Sequence, residues 1–378
     1  MDVLDVLHKS LSWARKRDYA GYDPFDALSS PLLCKSVFDK RPLRILFTQL
    51  LKRSPVDLRN ILGVKPSRNP KGIALFASTY DNLYRKFGDE KYIRERDQLI
   101  DWLRNNCNIQ EDTVCWGYNF PWQSRRSFLL QGEGCSVVTF FVGESPLLEE
   151  QKKILRGIAE FYLKELNVLL EDDEHLCLSY TPYEKEEMVV NANALIGYQL
   201  SRIGKRLGND EYIEKGRKLI NWVVSEQKQN GGWIYSPTSH LGMDNFHNGY
   251  VIWALMKYYE INGEAEVKDT ISKGLRFYET LFNEGRPLYS TQKEYPVDIH
   301  NCAQGIITFK EAEGMDFYQG NMHEKILRWT LDNMWDGEKN YFYYQKNTFW
   351  TNKVPYMRWS QAWMCYAMSL YLTEGGSK

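Results

Sequence analysis

Two kinds of apolar pattern alternate along the chain. In "RLGNDEYIEKGRKLINWVVSEQ", Ile213, Gly216, Leu219, Ile220 and Val223 recur at helical spacing, with Glu214, Lys215, Arg217 and Lys218 between them. This predicts a helix with one face packed and the other in water. "ALIGYQL" (Ala194–Leu200) and "YVIWALMKYY" (Tyr250–Tyr259) are apolar nearly all round, which predicts helices enclosed on every side. The two kinds come in pairs. An enclosed helix ends at a glycine, a short acidic turn follows, and a one-sided helix begins. The glycines are Gly88, Gly143, Gly208, Gly263 and Gly314, separated by 55, 65, 55 and 51 residues. Glycine at the end of a helix suits the left-handed residue that closes it.

An inner and an outer helix per unit, repeated at this period, predict a ring of helical hairpins. Five units are visible. A sixth would pair the apolar run Met357–Leu372 with a helix within Lys35–Lys52, bringing the ends of the ring together. The predicted fold is therefore all-α, an (α/α)6 toroid forming one domain over residues 1–378, with residues 1–34 an N-terminal helix and strap. An open solenoid is the alternative, but the terminal helices lack the polar outer face that would cap one. After each outer helix comes an aromatic, glycine-rich segment, such as "CWGYNFPWQSR", "LCLSYTPYE", "GGWIYSPTSHLG" and "RPLYSTQKEYP". All lead into the next inner helix, so they should gather at one mouth of the ring, where a rigid scaffold carries its functional loops.

Composition narrows the function. Hydrophobic residues make up 43%, charged residues 26%, and the net charge is −1, so no global field draws the chain to nucleic acid or to an anionic membrane. No apolar run approaches the roughly 20 residues that span a bilayer, and the start of the chain lacks a signal-peptide core. Seven cysteines without C-x-x-C spacing argue against a disulfide framework or a structural zinc and suit the cytoplasm. The unusual quantity is the aromatic share, 14%, much of it in the mouth segments.

The strings "RDYAGYDPFDALSSP", "WGYNFPWQSR", "NANALIGYQL", "GGWIYS", "DNFHNGYVIWAL", "PVDIHNCAQGIITF" and "NKVPYMRWSQAWM" resemble a bacterial and archaeal family often encoded with capsule and other surface-polysaccharide genes. The resemblance runs from about Asp18 to about Met364. It implies an (α/α)6 toroid loosely related to six-hairpin glycosidases and to uronate epimerase and lyase toroids. It supplies no chemistry, since a fold does not fix a function.

Candidate chemistry collects where the inner helices open. Asp244 and His247 stand in "DNFHN", Asp298 and His300 in "DIHN", at comparable places in adjacent units. Each Asp is placed to cap its helix. Capping needs neither His nor Asn, so the joint pattern points to acid/base catalysis by Asp244, Asp298, His247 and His300. Adjacent inner helices could bring the two carboxylates within the separations, about 5–5.5 Å or about 6.5–9.5 Å, that retaining and inverting glycosidases use. The aromatic faces of Trp116, Tyr118, Trp122, Tyr180, Trp233, Tyr250, Tyr356 and Trp359 suit pyranose rings. Asn191, Asn193, Asn248, Asn301, Gln304 and Gln361 suit hydroxyls. Arg125 and Arg358 suit a carboxylate, and Arg358, set among aromatics in "PYMRWSQAW", must either pair with a buried acid or await an anion. "DPFD" (Asp23–Asp26) should tie the N-terminal segment across the ring. Two His and two Asp match no metal motif of defined geometry, so no metal and no cofactor is expected.

The expected partner is an oligo- or polysaccharide. The expected activity is glycoside-hydrolase-like acid/base chemistry on that substrate, with uronate-containing saccharides among the candidates. A uronate C5-epimerase or lyase, with His or Tyr as base, and a non-catalytic glycan-binding factor are the alternatives.

Overall fold

In a computed structural model the structure describes residues 2–33, 39–124, 127–146, 151–238 and 242–373. The chain opens with α1 (Val3–Arg15) and, after a strap, α2 (Arg41–Arg53). Five hairpins follow: α3 (Pro70–Phe87) with α4 (Glu90–Asn105), α5 (Ser136–Gly143) with α6 (Lys152–Glu160), α7 (Val190–Leu207) with α8 (Asp210–Ser225), α9 (Asn245–Asn262) with α10 (Ala265–Glu279), and α11 (Ile299–Gly314) with α12 (Met322–Met334). The last helix, α13 (Trp363–Leu372), continues a π-helical stretch over Met357–Ala362.

The odd-numbered helices from α3 to α13 touch one another in order, and α13 touches α3, which closes a ring of six. Residues Val190 to Ser201 of α7 are buried without a break, whereas α8 buries one stripe, Tyr212, Gly216, Leu219, Ile220 and Val223, with Trp222 beside it. Inner and outer helices thus follow the two apolar patterns. The sixth outer helix differs from expectation. It is α1, which packs on α13, while α2 lies against the strap with one face toward the ring's mouth. The reason is visible in α1, whose Val6, Leu7, Leu11 and Ala14 form a buried stripe that α2, buried only at Thr48 and Leu51, does not offer.

The helix-closing glycines divide into two classes. Gly88, Gly208 and Gly263 are left-handed, at φ of 69°, 65° and 72°. Gly143 and Gly314 instead end their helices in helical conformation, with Glu144 and Met315 as caps. Gly143 is small for packing, since a Cβ there would lie 2.9 Å from Ile158 Cδ1 and from Gln199 Nε2.

A recurrent side-chain clamp fixes four of the mouth segments to the next inner helix. Asn193 accepts from Leu178 N–H at 2.8 Å and donates to its carbonyl at 3.0 Å. Asn248 holds Trp233 in the same way, at 2.7 and 2.9 Å, and Gln361 holds Phe342, at 2.9 and 2.8 Å. Thr139 does this for Trp116 with one hydroxyl. An amide presents one donor and one acceptor, so it pairs with an extended residue much as a neighbouring strand would. Replacing Asn248 by Leu leaves the Trp233 N–H and C=O buried and unpaired, at about 1–3 kcal/mol for each group. Urea unfolding of Asn248→Leu should therefore show a loss of a few kcal/mol, and a loss below about 0.5 kcal/mol, ordinary for a surface change, would remove the clamp from the account of stability.

Candidate active site

A cavity of about 800 Å³ opens among the first turns of the inner helices. Lys71 of α3, Val137 of α5, Asn191 of α7, Asp244, Phe246, His247 and Tyr250 around the start of α9, Asp298 and His300 of α11, and Arg358 with Trp359 line it. The mouth segments add Tyr118, Trp122, Tyr180, Tyr235 and Tyr289, and α2 adds Thr48, Gln49, Lys52 and Arg53.

Asp244 caps α9, its Oδ1 accepting from His247 N–H at 3.0 Å. Its other oxygen lies 2.6 Å from His247 Nδ1. With the carboxylate ionised, Nδ1 carries the proton, and the lone pair is left on Nε2. The ring lies 4.7 Å from Tyr235 and 3.9 Å from Phe246, and both members of the pair stay partly open to solvent. This is an oriented, accessible imidazole, the arrangement a general base requires.

The second Asp–His pair is built differently. Asp298 caps α11 through His300 N–H at 2.9 Å, and the Oδ1 that does so also accepts from Trp359 Nε1 at 2.8 Å. Gln345 Nε2 donates to Oδ2 at 2.7 Å. Burial pushes the Asp298 carboxyl up from its ordinary range, and these three donors work against that rise. His300 turns away from Asp298. Its Nε2 lies 2.7 Å from the Tyr250 hydroxyl, and its ring sits 4.5 and 4.6 Å from Trp359 and Trp363. Burial, with Lys71 and Arg358 nearby, holds the imidazole well below its usual pKa, so the ring is neutral. Burial also keeps Tyr250 protonated. The phenol then donates to Nε2, which assigns the ring proton to Nδ1, a buried atom without a partner among the described residues. Phe246 stacks between the two histidine rings, 3.9 Å from His247 and 4.9 Å from His300.

Lys71 completes this chain, its Nζ donating to Tyr250 Oη at 3.1 Å. The side chain is 3% exposed, with the rings of Phe141, Trp363 and Tyr250 at 4.0, 4.9 and 5.1 Å and no carboxylate paired with it among the described residues. Ring faces favour an ammonium by about 0.5–2 kcal/mol, whereas removing one from water costs several kcal/mol. Burial dominates and, with Arg358 adding repulsion, holds the Lys71 amine well below its ordinary pKa.

Arg358 pairs with a buried acid. Its Nε and Nη2 meet the two oxygens of Asp23 at 2.6 and 2.8 Å, both side chains being buried. Asp26 in turn accepts from Arg59 Nε at 2.7 Å, so both acids of "DPFD" hold the strap in place. Tyr118 and Tyr180 share a hydroxyl–hydroxyl bond of 2.8 Å, and Trp122 leans on both rings, giving the cavity one aromatic wall.

The four residues expected to be catalytic all line the cavity, as do Tyr118, Trp122, Tyr180, Asn191, Tyr250, Arg358 and Trp359. Others expected to bind substrate do not. Trp116 and Trp233 are buried between hairpins, their indole N–H groups bonded to carbonyls near the ends of α4 and α8. Asn193, Asn248 and Gln361 are the clamps described above. Asn301 donates to Leu288 O of the mouth segment before α11, and Gln304 to Thr308 within α11. Tyr356 packs under the Arg59 guanidinium, 4.7 Å from its ring centre. Arg125 lies outside the described residues. Lys71 was not anticipated, because a lysine in the second position of a helix ordinarily reaches solvent. The apolar run "GIALF" directly after it is the one sign that it does not.

No family model matches the chain, and comparison with curated proteins gives no match. Among solved structures, the fold is similar to a cellobiose 2-epimerase from Bacillus thermoamylovorans, with a TM-score of 0.60 and 10% identity over 82% of this chain and 90% of that one. It is similar to a possible member of the GH105 family from Salmonella enterica (0.58, 12%, 82% and 86%) and to a polysaccharide lyase (0.57, 11%, 97% and 94%). The shared architecture is the (α/α)6 toroid of six-hairpin glycosidases, epimerases and lyases.

The buried amine has a measurable signature. A lysine whose folded pKa is depressed makes the unfolded state bind more protons, so its destabilising effect grows as pH falls from about 10.5 toward the folded value, and it vanishes only above about 10.5. Lys71→Met should therefore raise the melting temperature at neutral pH, with the gain shrinking toward pH 10. An unchanged or lowered melting temperature at neutral pH would mean that the ammonium is well solvated or paired.

Proposed function

We propose that this protein is a carbohydrate-active enzyme that moves a proton at a sugar carbon next to a carboxylate, as a uronate epimerase or lyase does. The observation that carries the reading is the Asp244–His247 pair, in which the acid orients an accessible imidazole. His247 Nε2 is the base that takes the proton. The Tyr250 hydroxyl, held between Lys71 and His300, is the acid that returns one. The carbanion formed is stabilised where its charge gathers, on the carboxylate. Arg358 and Lys71 supply that stabilisation, and an anion arriving beside Lys71 draws a proton onto its amine. The lining agrees with an acidic substrate: Lys52, Arg53, Lys71 and Lys293 carry no ion-pair partner among the described residues. That the structural neighbours include an epimerase and a polysaccharide lyase also supports the reading. The free thiols among the described cysteines suit action in the cytoplasm.

Glycoside hydrolysis is the second reading, favoured by Asp298, whose carboxyl is raised by burial as a general acid's would be. Uronate-containing oligosaccharides incubated with the enzyme in deuterated water separate the two. Deuterium at C5, or an unsaturated product, is expected. New reducing ends with neither would establish hydrolysis instead. His247→Gln should lower kcat by about 10²–10⁴-fold. Asp244→Asn should also lose activity, since an uncharged amide no longer fixes the imidazole tautomer. Full activity in His247→Gln would exclude it as the base.

A further inference from the structure

A second functional surface lies beside the cavity mouth. Residues 39–65 contain seven Lys or Arg against two Asp, a local charge of +5 in a chain whose net charge is −1. Two of those cations, Arg44 and Arg59, are paired, with Asp39 and Asp26. Lys40, Arg41, Arg53 and Lys65 are exposed and without an ion-pair partner among the described residues. The same stretch holds five exposed large apolar side chains, Leu46, Leu50, Val56, Leu58 and Ile61, the last 76% exposed.

α2 divides these roles by face. Ile45, Thr48, Gln49 and Lys52, at helical spacing, look into the cavity. Leu46 and Leu50, one turn apart, form an adjacent exposed stripe that runs to Arg53 at the cavity's edge. A hairpin extends the stripe. Strands Gln345–Lys346 and Thr351–Asn352 pair antiparallel, and Asn352 Nδ2 donates to Ser54 O at 2.9 Å, tying the hairpin to the end of α2. Its tip carries Phe349, 95% exposed, and Trp350, 42% exposed. The aromatic tip and the Leu46–Leu50 stripe therefore flank one tie point at the end of α2, beside Arg53 and the cavity, with Lys40 and Arg41 at the other end of the same helix.

We propose that this face is a docking surface for an anionic lipid bilayer. A bilayer interface takes up apolar and aromatic side chains and holds Lys and Arg against its phosphates. A hydrophilic polyanion would use the cations but gain nothing from Phe349, Leu50 or Ile61. Charge complementarity thus selects lipid as the occupant. Docked in this way, the mouth opens toward substrates held at a membrane surface, while the toroid stays peripheral, since among the described residues no helix is long and apolar enough to cross a membrane.

Flotation with vesicles tests this on the whole chain. Vesicles of phosphatidylcholine with roughly 30% phosphatidylglycerol should carry the protein, those of phosphatidylcholine alone should not, and salt that shortens the screening length should weaken the binding. The double variants Phe349→Ser/Trp350→Ser and Lys40→Glu/Arg41→Glu should each lower partitioning at least about tenfold, and the Lys40→Glu/Arg41→Glu pair should leave the melting temperature unchanged because both side chains are exposed. The proposal fails if wild type does not float, or if flotation ignores both double variants. It also fails if the protein is a dimer in light scattering that the Phe349→Ser/Trp350→Ser pair dissociates, for then a second copy covers the face.

Discussion

The contact between α3 and α13 is the constraint on which the cavity depends, because it turns a row of hairpins into a ring. Closure requires the two backbones to come close at their first turns, and Gly72 allows it: a Cβ there would lie 3.3 Å from Arg358 Cβ. Gly21 of the strap is tighter still, since a Cβ would fall 2.5 Å from Met357 Cβ. The buried Asp23–Arg358 pair then locks strap to seam across 335 positions of sequence. Such a pair adds little net stability when formed, yet removing one partner costs about 3–5 kcal/mol. It specifies the closed arrangement more than it strengthens it.

The same seam explains how the proposed site is enclosed. Lys71 stands next to Gly72, so the close approach that admits Arg358 also encloses the lysine among Phe141, Tyr250 and Trp363. The fold maintains an ammonium-bearing residue under conditions that disfavour its charge. Across the cavity, the Asp244–His247 pair sits at a looser, partly solvated rim. One wall is dry and cationic by composition, the other wet and basic by geometry. A substrate spanning both meets an electrostatic gradient that neither wall supplies alone.

Much of the ring was legible in the sequence because burial is written as periodicity. All-round apolar runs became inner helices, one-sided runs became outer helices, and the period placed their glycines. The choice of α2 over α1 as the sixth outer helix failed for a physical reason: both are amphipathic, and only tertiary packing decides which stripe is covered. The site divided along similar lines. Titratable groups at helix openings, such as Asp244 and His300, were recognisable because few structural roles demand them. Asn193, Asn248 and Gln361, expected as ligands for sugar, hold backbone outside the cavity lining, since the amide that grips a hydroxyl is equally suited to a peptide, and sequence does not reveal which is nearer. Lys71 was invisible because its meaning comes from three rings distant in sequence.

The pairing of α1 with α13 has a consequence for biosynthesis. The last hairpin of the ring is assembled from opposite ends of the sequence, so a chain leaving the ribosome carries α1 without its partner while α3 to α12 stack in turn. Loop-closure entropy is offset only when the final helix arrives. The wall bearing Arg358 and the enclosure of Lys71 therefore come into being together, only once α13 has been made. A nascent chain halted before Met357 already holds Asp244 and His247, yet it has no cavity for them to serve.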